Sequence, residues 1–150
     1  MKLVKDFIKK EIPILHKDTP LVEIIKIFSN SEHNILPVVD KDGILTGIVS
    51  LEDIIENLLF SKEETILLEK LSFLADLFSE SFENFKCVSP LIVAEDIIQA
   101  NVISVKENDS MLKALILMKK KNVHRVIVVD KNNRPIGYIS RNEICKALIC

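Results

Sequence analysis

Two short spans carry the residue types best suited to hydrogen-bond chemistry: Ser50 to Asp53 within GIVSLED, and Ser140 to Glu143 within GYISRNE. Each sets a hydroxyl three residues ahead of a carboxylate, where a β-branched run gives way to a helical pattern. That spacing predicts a capping box. The Ser oxygen accepts from a first-turn N–H, and the acid reaches back to the Ser N–H, for about 1 kcal/mol. A third group, His124 and Arg125, follows Lys119, Lys120 and Lys121. On the residues alone it is the solvated end of a helix whose C-terminus favours cations. These groups can hold and orient; nothing beside them reacts. His16, His33 and His124 are scattered, and Cys87, Cys145 and Cys150 form no CxxC pair. No metal-ligand spacing, Ser–His–Asp set or Cys–His set stands out, so the expectation is a protein that is not an enzyme.

The elements that position these residues must fit into 150 residues, enough for one ordinary domain or two small ones sharing a core. Hydrophobic content of 48% is at the globular level. A net charge of −2 gives no reason to expect a nucleic-acid partner. Apolar runs fall far short of the roughly 20 residues that span a bilayer, so no membrane association is expected. The stretch MKLVKDFIKKEIP is broken by Asp6, Lys9, Lys10 and Glu11 and reads as an amphipathic helix rather than a signal peptide. An odd number of unpaired cysteines predicts reduced thiols and a cytoplasmic location.

Sliding the chain by 90 residues aligns two blocks without a gap. Identities fall at Asp6/Asp96, Ile8/Ile98, Val38/Val128, Val39/Val129, Asp40/Asp130, Lys41/Lys131, Gly47/Gly137, Ser50/Ser140 and Ile54/Ile144, and most other positions keep apolar character. Each block predicts a leading helix (4–10 and 93–100) and a short strand (12–15 and 102–105). An amphipathic helix follows, its apolar face Leu21, Ile24, Ile25 and Phe28 in one block and Met111, Leu112, Leu115 and Met118 in the other. Pro20 suits the first turn of that helix. A hairpin comes next, turning through DKDG or DKNN, whose residues tolerate positive φ. Ser50 or Ser140 then opens the last helix. One block cannot bury both faces of its strands, so the two must pack sheet against sheet around a pseudo-twofold axis.

The spans NILPVVDKDGILTGIVSLEDII and VHRVIVVDKNNRPIGYISRNEI resemble the CBS domain, the module named for cystathionine β-synthase, in its tandem form, the Bateman module. The first copy is similar to the nucleotide-binding repeats in the γ subunit of AMP-activated protein kinase. The resemblance implies an α/β fold of two β-α-β-β-α repeats. It further implies an adenosine-containing ligand (AMP, ADP, ATP or S-adenosylmethionine) between the repeats. In that family the turn carboxylate accepts from both ribose hydroxyls, the Ser or Thr touches ribose or phosphate, and basic residues meet the phosphates. The chemistry suits these types, since a carboxylate takes two donors at once and a helix N-terminus favours anions.

Carried over by position, the first cleft has Ser50 and Asp53 in full agreement, but Asn34 and Ile35 where the family has cations. Its opposite wall is Asp109, Ala114 and the backbone near Val123. The second cleft has Ser140, the longer Glu143, and the basic pair His124 and Arg125. Its opposite wall is Thr19, Ile24 and the backbone near His33. Two readings stand side by side for each turn: a helix cap alone, or a cap that also holds ligand.

The resulting organisation is repeat 1 over residues 1–60, a helical insertion over 61–92, and repeat 2 over 93–150. The insertion sets Leu67, Leu71, Leu74, Phe78, Phe82 and Phe85 near one face, with Ser61 and Glu64 spaced as a capping box. It reads as a helix packed on the pair, a dimer interface, or a lid that reports occupancy to a protein partner. The resemblance also implies a homodimer. The alternative function is a ligand-free interaction module working through this Phe-rich segment.

Overall fold

The computed structural model describes residues 1–55 and 92–150. The insertion expected at 61–92 therefore lies outside the described residues, apart from Ile92. The first half runs through β1 (Leu15–His16), α1 (Leu21–Ser29), β2 (Ile35–Val39), β3 (Leu45–Ser50) and α2 (Leu51–Ile54). The second runs through α3 (Ala94–Ile97), β4 (Ser104–Lys106), α4 (Met111–Lys121), β5 (Arg125–Val129), β6 (Pro135–Ser140) and α5 (Arg141–Ile149). Each half builds a three-stranded sheet, its first strand parallel to the second and the second antiparallel to the third. This is the α/β fold with two related sheets that the repeat predicts.

The halves match in register. Ile35 faces Ser50 and Val38 faces Gly47; 90 residues on, Arg125 faces Ser140 and Val128 faces Gly137. Both hairpins are bulged at the same point, Val38/Val39 and Val128/Val129. The turns are held alike. Asp40 Oδ1 accepts from the N–H of Asp42 and Ile44, and Asp130 Oδ1 from those of Asn132 and Arg134. The left-handed residue is Gly43 (φ 82°) in one turn and Asn133 (φ 64°) in the other. The Arg134 N–H is the main reason the Asp130 carboxyl sits below the usual carboxylate range.

Helices α1 and α4 bury the residues at corresponding positions: Leu21, Ile24 and Phe28, and Met111, Ala114 and Met118. The second face differs from the expected one. Ala114 lies inside while Leu112 is 64% exposed. A small residue there lets α4 settle close on its sheet. Pro20 is the N-cap of α1 rather than its first helical residue. Ser110 caps α4 by accepting from the Lys113 N–H, and Asn122 ends that helix in the left-handed conformation.

The leading segments depart from expectation. The helices expected at 4–10 and 93–100 shrink to a 3-10 turn, Val4–Asp6, and to α3. Beyond them the chain is extended, because its backbone groups bond to the opposite half. Lys9 exchanges both main-chain hydrogen bonds with Tyr138 of β6, and Gln99 does the same with Ile48 of β3. The Val4 N–H donates to the Asp109 carbonyl at 2.8 Å, mirrored by the Ala94 N–H on the Thr19 carbonyl at 2.9 Å. Each half thus lends its first residues to the other. The cores follow this exchange: Val4 packs with Met111, Val126 and Ile139, whereas Ala94 packs with Leu21, Leu36 and Val49. Ile127, Val129 and Tyr138 of the second sheet join the first cluster, which places sheet against sheet.

Gly47 and Gly137 are required by this exchange. A Cβ on Gly137 would collide with the Lys9 carbonyl oxygen and come within 2.8 Å of Ile8. One on Gly47 would collide with the Ile98 side chain and lie 2.9 Å from the Gln99 carbonyl oxygen. Among the described residues no helix is long and apolar enough to cross a membrane.

Candidate functional site

The two strand-to-helix turns begin alike and end differently. The Ser50 hydroxyl accepts from the Asp53 N–H at 3.2 Å, so Ser50 caps α2. Among the described residues nothing donates to the Asp53 carboxylate, which is half-buried at the mouth of the turn. In the second turn the Glu143 carboxylate folds back. It accepts the Ser140 N–H at 2.8 Å and the Ser140 hydroxyl in a shorter contact, while the Ser140 oxygen accepts the Asn142 N–H. Glu143 is only 4% exposed and is the one buried charged residue among those described. This return bond completes a capping box. A buried carboxylate needs such donors.

Beside Ser140 lies a polar cavity of about 200 Å³. Asn34 and His124, which occupy equivalent positions in the two halves, both line it. Arg125, Arg141 and Lys9 bring cations, and Glu32 brings the one acid in the lining. Lys9 and Glu32 stand 3.8 Å apart. The ring of Tyr138 closes one side. Its hydroxyl is 3.0 Å from His33 Nδ1, with the two rings edge to face at 5.5 Å, joining the halves across the cleft. Burial pushes the Tyr138 hydroxyl above its usual value, so it stays protonated. Arg125 Nη2 donates to Glu52 Oε1 at 3.1 Å, a second link between halves.

The structure thus brings together four residues expected at the site: Asn34, His124, Arg125 and Ser140. Ser50, Asp53 and Glu143 sit on the turns but do not line the cavity. Ile24 and Ala114 are fully buried in their helices. Thr19 and Asp109 perform one structural task in the two halves. The Thr19 hydroxyl accepts from the His16 N–H at 3.0 Å, and Asp109 Oδ2 from the Lys106 N–H at 2.8 Å. Burial opposes the Asp109 charge, yet the Lys106 N–H and the Lys113 ammonium at 3.0 Å hold its carboxyl below the usual range. Two lining cations were missed by sequence. Arg141 lies inside the GYISRNE span and was readable there as the first residue of a helix beside the cleft. Lys9 had no sequence signal, because only the exchange of leading segments brings it in.

Three cations against one acid, with hydroxyl and amide groups between, give the cavity the chemistry to accept an anion. It offers hydrogen bonds and charge rather than a nucleophile beside a base. The CBS domain family model matches residues 4–59 and 93–150, most of the chain in two copies. This chain is a tandem CBS-domain protein. It is 32% identical to the uncharacterized protein MJ1426 of Methanocaldococcus jannaschii, over 98% of this chain and 91% of that one. Two other relatives from the same organism are longer, and the chain spans 37% and 25% of their lengths.

Among solved structures, the CBS domain pair of protein MJ0100, in complex with 5′-methylthioadenosine and S-adenosyl-L-methionine, superimposes with a TM-score of 0.70. It is 26% identical, with 99% of this chain and 96% of that one covered. A CBS domain-containing protein from Bacillus anthracis gives a TM-score of 0.74 at 19% identity, covering 98% and 92% of the two chains. At that identity the likeness concerns the fold.

Proposed function

We propose that this tandem CBS chain is a regulatory sensor of an adenosine-containing ligand, AMP, ADP, ATP or S-adenosylmethionine, held between its halves. The cation-lined cavity built from both halves carries the reading. The adenosine compounds bound by the CBS pair of MJ0100 support it. The two clefts take unequal parts. The first receives the nucleoside, with the Asp53 carboxylate accepting from the ribose hydroxyls and Ser50 beside it. The second receives an anionic group through His124, Arg125 and Arg141. Glu143 is engaged in its own cap and serves the second cleft by holding α5 in place.

In this reading the protein is not an enzyme, and the ligand works by favouring one arrangement of the halves or of two subunits. It does so only through its differential affinity for those arrangements. The exposed apolar residues Leu112, Ile116 and Leu148 on α4 and α5 fit the homodimer that the family resemblance implies. A cytoplasmic protein partner reading this state belongs to the same proposal. A thermal-shift screen tests it. Ligand at 100 times its dissociation constant should stabilise the protein by about 2.7 kcal/mol. No shift with any of these compounds at millimolar concentration would remove the sensor reading.

A further inference from the structure

Arg125 lines the polar cavity, yet one nitrogen of its guanidinium is already engaged. Its Nη2 donates to Glu52 Oε1 at 3.1 Å, and Glu52 stands next to Asp53 on the first turn of α2. The pair links β5 of one half to the turn of the other. The Arg125 side chain is 21% exposed and that of Glu52 50%. The pair is therefore reachable from solvent and weak enough to exchange. Lys9, the other cation with a partner here, faces Glu32 at 3.8 Å, a looser contact.

We infer that Glu52 is a latch that stands in for a ligand's phosphate, so that a phosphate group entering the cavity displaces it from Arg125. This rests on the reading of the cavity as the anionic end of an adenosine site, and it adds a specificity device to that site. A carboxylate and a phosphate compete for the same planar fork of donors, and phosphate offers more acceptor oxygens and more charge. An uncharged nucleoside makes no claim on Arg125 and leaves the pair closed. The latch therefore taxes phosphate-bearing ligands and spares the rest. Opening it also frees α2 from β5, so the first turn loses one of its ties to the second half only when phosphate is present.

The test compares AMP, inorganic pyrophosphate and 5′-methylthioadenosine, titrated by calorimetry into wild type, Glu52→Gln, Arg125→Met and the double variant. Glu52→Gln should tighten AMP and pyrophosphate about two- to fivefold and leave 5′-methylthioadenosine within about twofold. In the Arg125→Met background the gain from Glu52→Gln should vanish. A gain that persists without Arg125 would reduce Glu52 to general charge repulsion and overturn the latch. So would equal tightening of all three probes, or none. Should no adenosine compound bind wild type, the sensor reading falls while pyrophosphate still judges the latch. Pyrophosphate binding tightened in Glu52→Gln upholds it, and pyrophosphate bound by neither protein removes it.

Discussion

The turns at Ser50–Asp53 and Ser140–Glu143 share backbone register, capping Ser and helix start, yet their acids are bonded differently. Glu143 reaches back, is buried and completes a capping box. The Asp53 carboxylate is half-buried and, among the described residues, makes no such return bond, although Asp96 at the same place in α3 accepts its N-cap N–H at 3.0 Å. In the proposed reading the repeated motif is divided: one copy secures a helix and the other presents an acceptor. The cations are distributed the opposite way, with Arg125 and Arg141 around the turn whose acid is bound in its own cap.

The largest effect expected from breaking this symmetry is at the glycines. Gly137→Ala sets a methyl against a backbone oxygen of Lys9, whereas Gly47→Ala meets first the flexible end of Ile98. Denaturant melts should show Gly137→Ala destabilised by about 2–3 kcal/mol and Gly47→Ala by less. Equal or inverted losses would mean that the exchanged segments are not held equally closely by the two sheets. Next come the acids themselves. Glu143→Ala removes the buried cap of α5 and should cost about 1–2 kcal/mol, against about 0.5 kcal/mol or less for Asp53→Ala. Matching melting curves for the two variants would erase the distinction between cap and presented carboxylate.

Much of the fold was legible because its signals are local. The hairpin turns and the Ser caps depend on residues within a few positions of one another, and the 90-residue repeat shows that the same local pattern occurs twice. The apolar face of α1 followed from its period, but that of α4 was rotated. Leu112 outweighs Ala114 in any count of hydrophobic residues, yet Ala114 is the one buried and Leu112 the one exposed. The leading helices failed for a related reason. Their far ends form main-chain bonds to strands in the other half, and such pairing leaves no trace in a segment's own pattern. Of the residues named from sequence, Asn34, His124, Arg125 and Ser140 line the cavity, while Ser50, Asp53 and Glu143 do not. The pairing of Arg125 with Glu52 and the arrival of Lys9 are tertiary events between halves.

The account turns on Asp53 presenting the acceptor for a nucleoside while Glu143 does not. Calorimetric titration of 5′-methylthioadenosine into Asp53→Asn and Glu143→Gln, beside wild type, tests this most directly. Asp53→Asn should keep the unliganded melting temperature and lose about tenfold or more in affinity, since a charged acceptor for two hydroxyls is removed. Glu143→Gln should melt earlier yet bind within about threefold of wild type, its cap weakened but its cleft intact. Undiminished binding in Asp53→Asn together with lost binding in Glu143→Gln would contradict the assignment and move the nucleoside to the second cleft.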